Sequence, residues 1–65
     1  MQAPYTNHAI SACHLANFKA EAKKAASESE LKRIAEKHAL YFVKKDADEA
    51  RRVYAQYARR IRGAA

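Results

Sequence analysis

The chain has 65 residues and a formal net charge of +6, and 49% of its residues are hydrophobic. Ala accounts for 16 of the hydrophobic residues, whereas Val, Ile, Leu and Phe together account for only ten. This length allows one small domain, 1–65, and excludes a deep cleft between two domains. Because the apolar core must be thin, we expect the chain to form a homo-oligomer or to be stabilised by a partner.

Three short helices are predicted, so the fold class is all-α. They span about 7–25, 28–44 and 47–62, because good helix formers dominate between the single Pro and the single Gly. Asn7 or Thr6 supplies the N-cap of the first helix. No apolar run is long enough for a membrane span or a signal-peptide core. We therefore expect a cytoplasmic protein with no membrane partner.

Two capping patterns mark the predicted breaks between the helices. Ser27 and Glu30 form one Ser-x-x-Glu pattern, and Asp46 and Glu49 offer the same reciprocal arrangement. The short joint at Lys45-Asp46 then makes helices two and three an antiparallel hairpin. Neither junction contains Gly or Pro, so a single rod formed by helices one and two stays open as an alternative.

Apolar residues recur at spacings of three and four on each predicted helix, which indicates one buried face per helix. His14 and His38 lie on these stripes and meet if the first two helices cross suitably. Leu40 and Val43 fall off the main stripe of helix two. They are the candidates for an interface, either with helix one or with a partner protein.

The chain offers no catalytic constellation and no cofactor-binding motif. Cys13 and His14 are adjacent and point about 100° apart on a helix, so they cannot chelate one ion together. Two imidazoles fall short of a structural zinc site, which needs four ligands. Cys13 is interpreted as a small buried hydrophobe or an inert, partly exposed thiol. We expect no enzyme activity, no metal and no cofactor.

Basic residues are the most informative feature of the sequence. The candidates for contact with nucleic acid or an acidic protein surface are Arg51, Arg52, Arg59, Arg60, Arg62, Lys44 and Lys45. Arg forks bind phosphate oxygens in pairs, and Lys19, Lys23 and Lys24 extend the positive field from helix one. The competing explanation is that many of these bases, Lys44 and Lys45 included, complement the dipoles of helix C-termini.

Two further features of the sequence are compatible with nucleic-acid contact, and each has an observation against it. The segment 31–40 resembles the first helix of a helix-turn-helix, but Ala39 stands near the position that favours Gly. Tyr54 and Tyr57 are candidate stacking platforms for bases, although their place on the apolar stripe favours core packing.

Residues 30–61 combine an acidic helix start, the aromatic pair Tyr41-Phe42 and the run Tyr57-Ala58-Arg59-Arg60. This stretch, ELKRIAEKHALYF leading into DADEARRVYAQYARRI, resembles helical hairpins of phage single-strand annealing recombinases and small phage accessory proteins. The resemblance implies docking onto DNA or onto a replication or recombination protein, without catalysis.

The expected function is therefore that of a small non-enzymatic accessory protein. It binds nucleic acid, or a complex that processes nucleic acid, through a basic third helix. Two alternatives stay open: a protein-interaction module, such as an inhibitor or adaptor, that docks an apolar helix face on a partner, or a structural oligomer.

Overall fold

The computed structural model describes residues 7–64. Three helices make up this range: α1 (His8–Lys24), α2 (Glu28–Ala39) and α3 (Lys44–Ala64). Each helix packs against the other two, so the all-α prediction with three helices is confirmed. None of the helices in the described range is both long enough and apolar enough to cross a membrane.

The first two helices begin where their capping residues stand. The Asn7 side chain accepts a hydrogen bond from the Ile10 amide at 2.9 Å. The Ser27 hydroxyl accepts one from the Glu30 amide at 3.2 Å, which confirms this half of the predicted capping pattern. Ala25 and Ser27 both have extended backbone angles, so α1 and α2 are separate helices and the single-rod alternative is wrong.

The second junction differs from the prediction at both of its ends. α2 ends at Ala39 rather than near residue 44, and α3 begins at Lys44 rather than near residue 47. Asp46 does not cap α3 through a pairing with Glu49. It lies inside the first turn and is buried, while Glu49 pairs with Lys19.

The physical reason for this shift is a hydroxyl supplied by α1. Ser11 is fully buried, and its Oγ accepts a hydrogen bond from the Val43 amide at 2.8 Å. The same hydroxyl donates to Asp46 Oδ2 at 2.6 Å. Ser11 therefore connects the backbone that enters α3 with a carboxylate in its first turn, a task that a local capping residue usually performs.

The relative directions of the helices follow from the contacts at their ends. Arg62, near the end of α3, pairs with Glu28, the first residue of α2, at 3.0 Å. Four residues, 40–43, join the opposite ends, so α2 and α3 run in opposite directions. Contacts from Ser11 to Asp46 and from Lys23 to Arg60 show that α1 runs alongside α3 in the same direction.

The core lies along the line where the three helices meet. Phe18 and Leu31 are fully buried at its centre, and Phe42 packs edge-on against Phe18 with ring centroids 6.0 Å apart. Small residues complete the cluster: Ala22, Ala25, Ala50 and Ala58. Because so many core positions are Ala, the helices bury little apolar area apart from these larger side chains.

Candidate nucleic-acid interface

The outer surface of α3 carries the arginines that the sequence singled out. Its inner surface contributes Ala50, Ala58 and partly buried aliphatic and Tyr side chains to the core. On the opposite side five residues line one shallow depression, and we call them the basic face: Arg52, Ala55, Gln56, Arg59 and Arg60. Arg52 and Arg59 are seven residues apart, which is two helical turns or about 10 Å along the axis.

Charge is distributed unevenly along α3. From Ala50 to its end the helix contains five Arg and no Asp or Glu. Arg51 and Arg62 lie beside acids, Asp48 at 3.5 Å and Glu28 at 3.0 Å.

Within the range 7–64, the structure gives neither Arg52 nor Arg59 an ion-pair or hydrogen-bond partner, and both side chains are exposed. These two guanidinium groups keep all their donors for a ligand.

Arg60 joins the end of α1 to the basic face. Its guanidinium donates to the Lys23 carbonyl at 3.2 Å and stands 4.7 Å from the centre of the Tyr57 ring. Lys23 and Lys24 are exposed at this end of α1, and their contribution to the positive surface stays a prediction. Lys19 contributes little to it, because its ammonium pairs with Glu49.

Lys44 and Lys45 occupy the first turn of α3, where both are exposed. The competing explanation, in which they are bases at the C-terminus of α2, is wrong, since that helix ends at Ala39. A helix N-terminus carries partial positive charge, so two lysines there are unfavourable for folding by a few tenths of a kcal/mol each. The helix dipole therefore gives no reason for their presence.

The two interface candidates from the α2–α3 junction have different environments. Leu40 is 61% exposed, whereas Val43 is 3% exposed and lies at the entry to α3. Val43 therefore packs inside the molecule and is not available to a partner. Tyr54 and Tyr57 are half-buried against the core, which agrees with core packing rather than with open stacking platforms.

A second polar cluster links α1 to α2. His38, 4% exposed, places Nδ1 2.8 Å from His14 Nδ1 and Nε2 2.8 Å from Glu21 Oε2. Lys37 donates to the other oxygen of Glu21. The hydrogen bond from Lys37, followed by that from His38, holds the pKa of Glu21 below its usual range.

The predicted meeting of His14 and His38 is confirmed. Across the described range no three His, Cys, Asp or Glu side chains converge in a way that would hold a metal ion. Cys13 is an exposed free thiol, so the buried alternative for it is wrong.

Sequence reasoning missed Gln56, Glu21 and the pairing of Ser11 with Asp46. Gln56 was detectable, because it lies between Arg52 and Arg59 on the same helical face. Ser11 was detectable as a polar residue on the apolar stripe four positions before Leu15. Comparison of the chain with protein-family models, curated proteins and solved structures finds no match.

Proposed function

We propose that this chain is a small, non-enzymatic accessory protein of the cytoplasm that binds the phosphate backbone of nucleic acid through the basic face of α3. The observation that carries this proposal is the pair Arg52 and Arg59. Both are exposed, without an acidic partner in the described range, and two turns apart on one face. Such donors bind phosphate oxygens in pairs and contribute affinity independent of base sequence.

The distribution of Lys and Arg supports a ligand that prefers guanidinium groups. Five of the six Arg lie in α3, and no Lys follows Lys45. A helix C-terminus or a solvated surface is served equally well by either residue type. Arg differs in its planar fork, which matches the geometry of a phosphate group.

Lys44 and Lys45 give independent support. They lie on the same helix about two turns before Arg52, at a position where their charge opposes the helix dipole. A long polyanion that follows α3 would contact both the lysines and the basic face. The net charge of +6 further favours the approach of such a ligand.

Fluorescence anisotropy with labelled duplex DNA, single-stranded DNA and RNA tests the proposal. We expect affinity for at least one of these to fall steeply with salt, with a log–log slope of about −0.9 per phosphate contacted. The double variant Arg52→Ala/Arg59→Ala should bind more weakly and reduce this slope by about two.

A matched control separates the basic face from net charge alone. Lys32→Ala/Arg33→Ala also removes two positive charges, but from exposed positions on α2. This variant should bind nucleic acid with nearly the affinity of the unmodified protein. Arg52→Lys/Arg59→Lys keeps the charge and should still lose affinity, because the fork is lost. Equal weakening by both alanine pairs, or affinity that does not respond to salt, would contradict the proposal.

Leu40 supports a second candidate function, docking on a partner protein. It is a large aliphatic side chain, 61% exposed in the turn between α2 and α3, and Ile10 is also exposed. If this function is correct, the chain captures a partner protein whose recovery is the same with and without nuclease. The variant Leu40→Ser should abolish that capture. Under the nucleic-acid proposal, the same variant leaves anisotropy unchanged.

A further inference from the structure

The contact between His14 and His38 imposes a proton count on the two rings. Their Nδ1 atoms are 2.8 Å apart, so one of them carries a hydrogen and the other accepts it. On its other side, His38 Nε2 lies 2.8 Å from a carboxylate oxygen of Glu21. A carboxylate with a lowered pKa accepts, so this nitrogen of His38 is a donor.

Two proton counts satisfy this geometry: no added proton and one added proton. With both rings neutral, His14 donates from Nδ1 to the bare Nδ1 of His38. With one added proton, one ring is the cation. If it is His38, this ring donates to Glu21 and to a neutral His14 whose hydrogen is on Nε2; if it is His14, this ring donates from Nδ1 to a neutral His38. In a third state, with both rings cationic, two N–H groups would face each other at 2.8 Å. That state cannot keep the contact.

The surroundings do not compensate a second cation. Glu21 already accepts from both Lys37 and His38, so its single negative charge is shared. The faces that pack against the pair are aromatic: Tyr41 stacks on His14 at 4.1 Å, and Phe18 lies edge-on to His38. Of the acids that α3 turns toward α1, Asp46 accepts from Ser11 and Glu49 accepts from Lys19.

We infer that His14 and His38 form an acid-sensitive clasp between α1 and α2. The clasp is closed while the two imidazoles hold no more than one extra proton, and it opens when both become cations. In the unfolded chain the two rings protonate independently, so the unfolded chain binds up to one proton more than the closed clasp. Only the unfolded chain binds the second proton, so mild acid destabilises the folded protein in the lower part of the range in which histidines titrate, about pH 5–8.

Thermal or urea unfolding followed by circular dichroism from pH 8 to pH 5 tests the clasp. We expect the unfolding equilibrium constant to rise as pH falls, by up to about tenfold per pH unit where the difference is one proton. Carboxyl groups titrate mainly below this window, so Glu21 contributes little to the change within it.

His14→Gln removes the second titrating ring while an amide remains to face His38. This variant should lose most of the pH dependence between pH 8 and pH 5. His8→Gln is the matched control, because His8 is exposed at the start of α1, and it should keep the full dependence. The same pH dependence in the unmodified protein and in His14→Gln would overturn the inference.

Nitrogen NMR of the histidine rings gives a readout that does not need a folded variant. At pH 8 the unmodified protein should show hydrogen on Nδ1 of His14 and on Nε2 of His38. Free exchange between tautomers at both rings would also overturn the inference.

Discussion

Ser11→Ala removes one hydroxyl that serves two buried partners. The variant leaves the Val43 amide without an acceptor and the Asp46 carboxylate without its donor, and both Val43 and Asp46 are less than a tenth exposed. A buried polar group that loses its partner costs about 1–3 kcal/mol, and a charged one costs more. The higher helix propensity of Ala offsets about 0.5 kcal/mol of this loss of stability. We therefore expect the free energy of unfolding to fall by about 2–4 kcal/mol.

This loss is large relative to the stability of so short a chain. Domains have about 0.05–0.15 kcal/mol of stability per residue, or about 3–10 kcal/mol for this length. Because 1 kcal/mol shifts Tm by about 4–8 °C in a small domain, Ser11→Ala should lower Tm by about 10–25 °C.

Urea denaturation and thermal scans by circular dichroism measure the effect, and Ser29→Ala is the matched control. Ser29 is exposed on α2, so the same atoms are deleted without a buried partner, and its Tm should change by only a few degrees. In the double variant Ser11→Ala/Asp46→Ala, the loss should be smaller than the sum of the two single losses, since no carboxylate is stranded. If Ser11→Ala and Ser29→Ala had the same free energy of unfolding, the hydrogen bonds of Ser11 with Val43 and Asp46 would not stabilise the fold.

Three further predictions concern charge and capping. Because the pKa of Glu21 is lowered in the folded protein, the ionised carboxylate stabilises the fold above the usual carboxyl range, and this stabilisation is lost as pH falls through the folded pKa. Glu21→Gln should therefore make the urea midpoint depend less on pH in acid. Lys44→Gln/Lys45→Gln should raise the free energy of unfolding by about 0.5–1 kcal/mol, because the helix N-terminus disfavours cations, and should weaken nucleic-acid affinity in anisotropy. Ser27→Ala should cost about 1 kcal/mol in urea denaturation through loss of the α2 N-cap, whereas Ser29→Ala should not.

Local patterns were sufficient to predict most of α1 and the start of α2. Asn7 and Ser27 cap the helices that follow them, because a side chain three residues away in sequence decides each of those ends. The residue at which α3 begins could not be predicted from local patterns. Its capping hydroxyl comes from Ser11, which is 32 residues before Val43, so no nearby residue signals where the helix begins.

The same distinction applies to the candidate site. The outward direction of Arg52 and Arg59 follows from helical periodicity, and the structure places both on the outer side of α3. The acids that engage Lys19 and Arg62 come from other helices, so they depend on how the helices dock. For the same reason periodicity predicted the meeting of His14 with His38 but not the carboxylate of Glu21 behind it.

The bridge through Ser11 has a consequence for the order in which the molecule assembles. α2 and α3 are neighbours in the chain, yet the first turn of α3 obtains its hydrogen-bond partner only after α1 has arrived. A fragment that contains only the last two helices would therefore fray at that turn and expose the aromatic ring of Phe42, whose partner Phe18 belongs to α1. We therefore expect the three helices to gain order as one cooperative unit rather than by growth from a preformed pair.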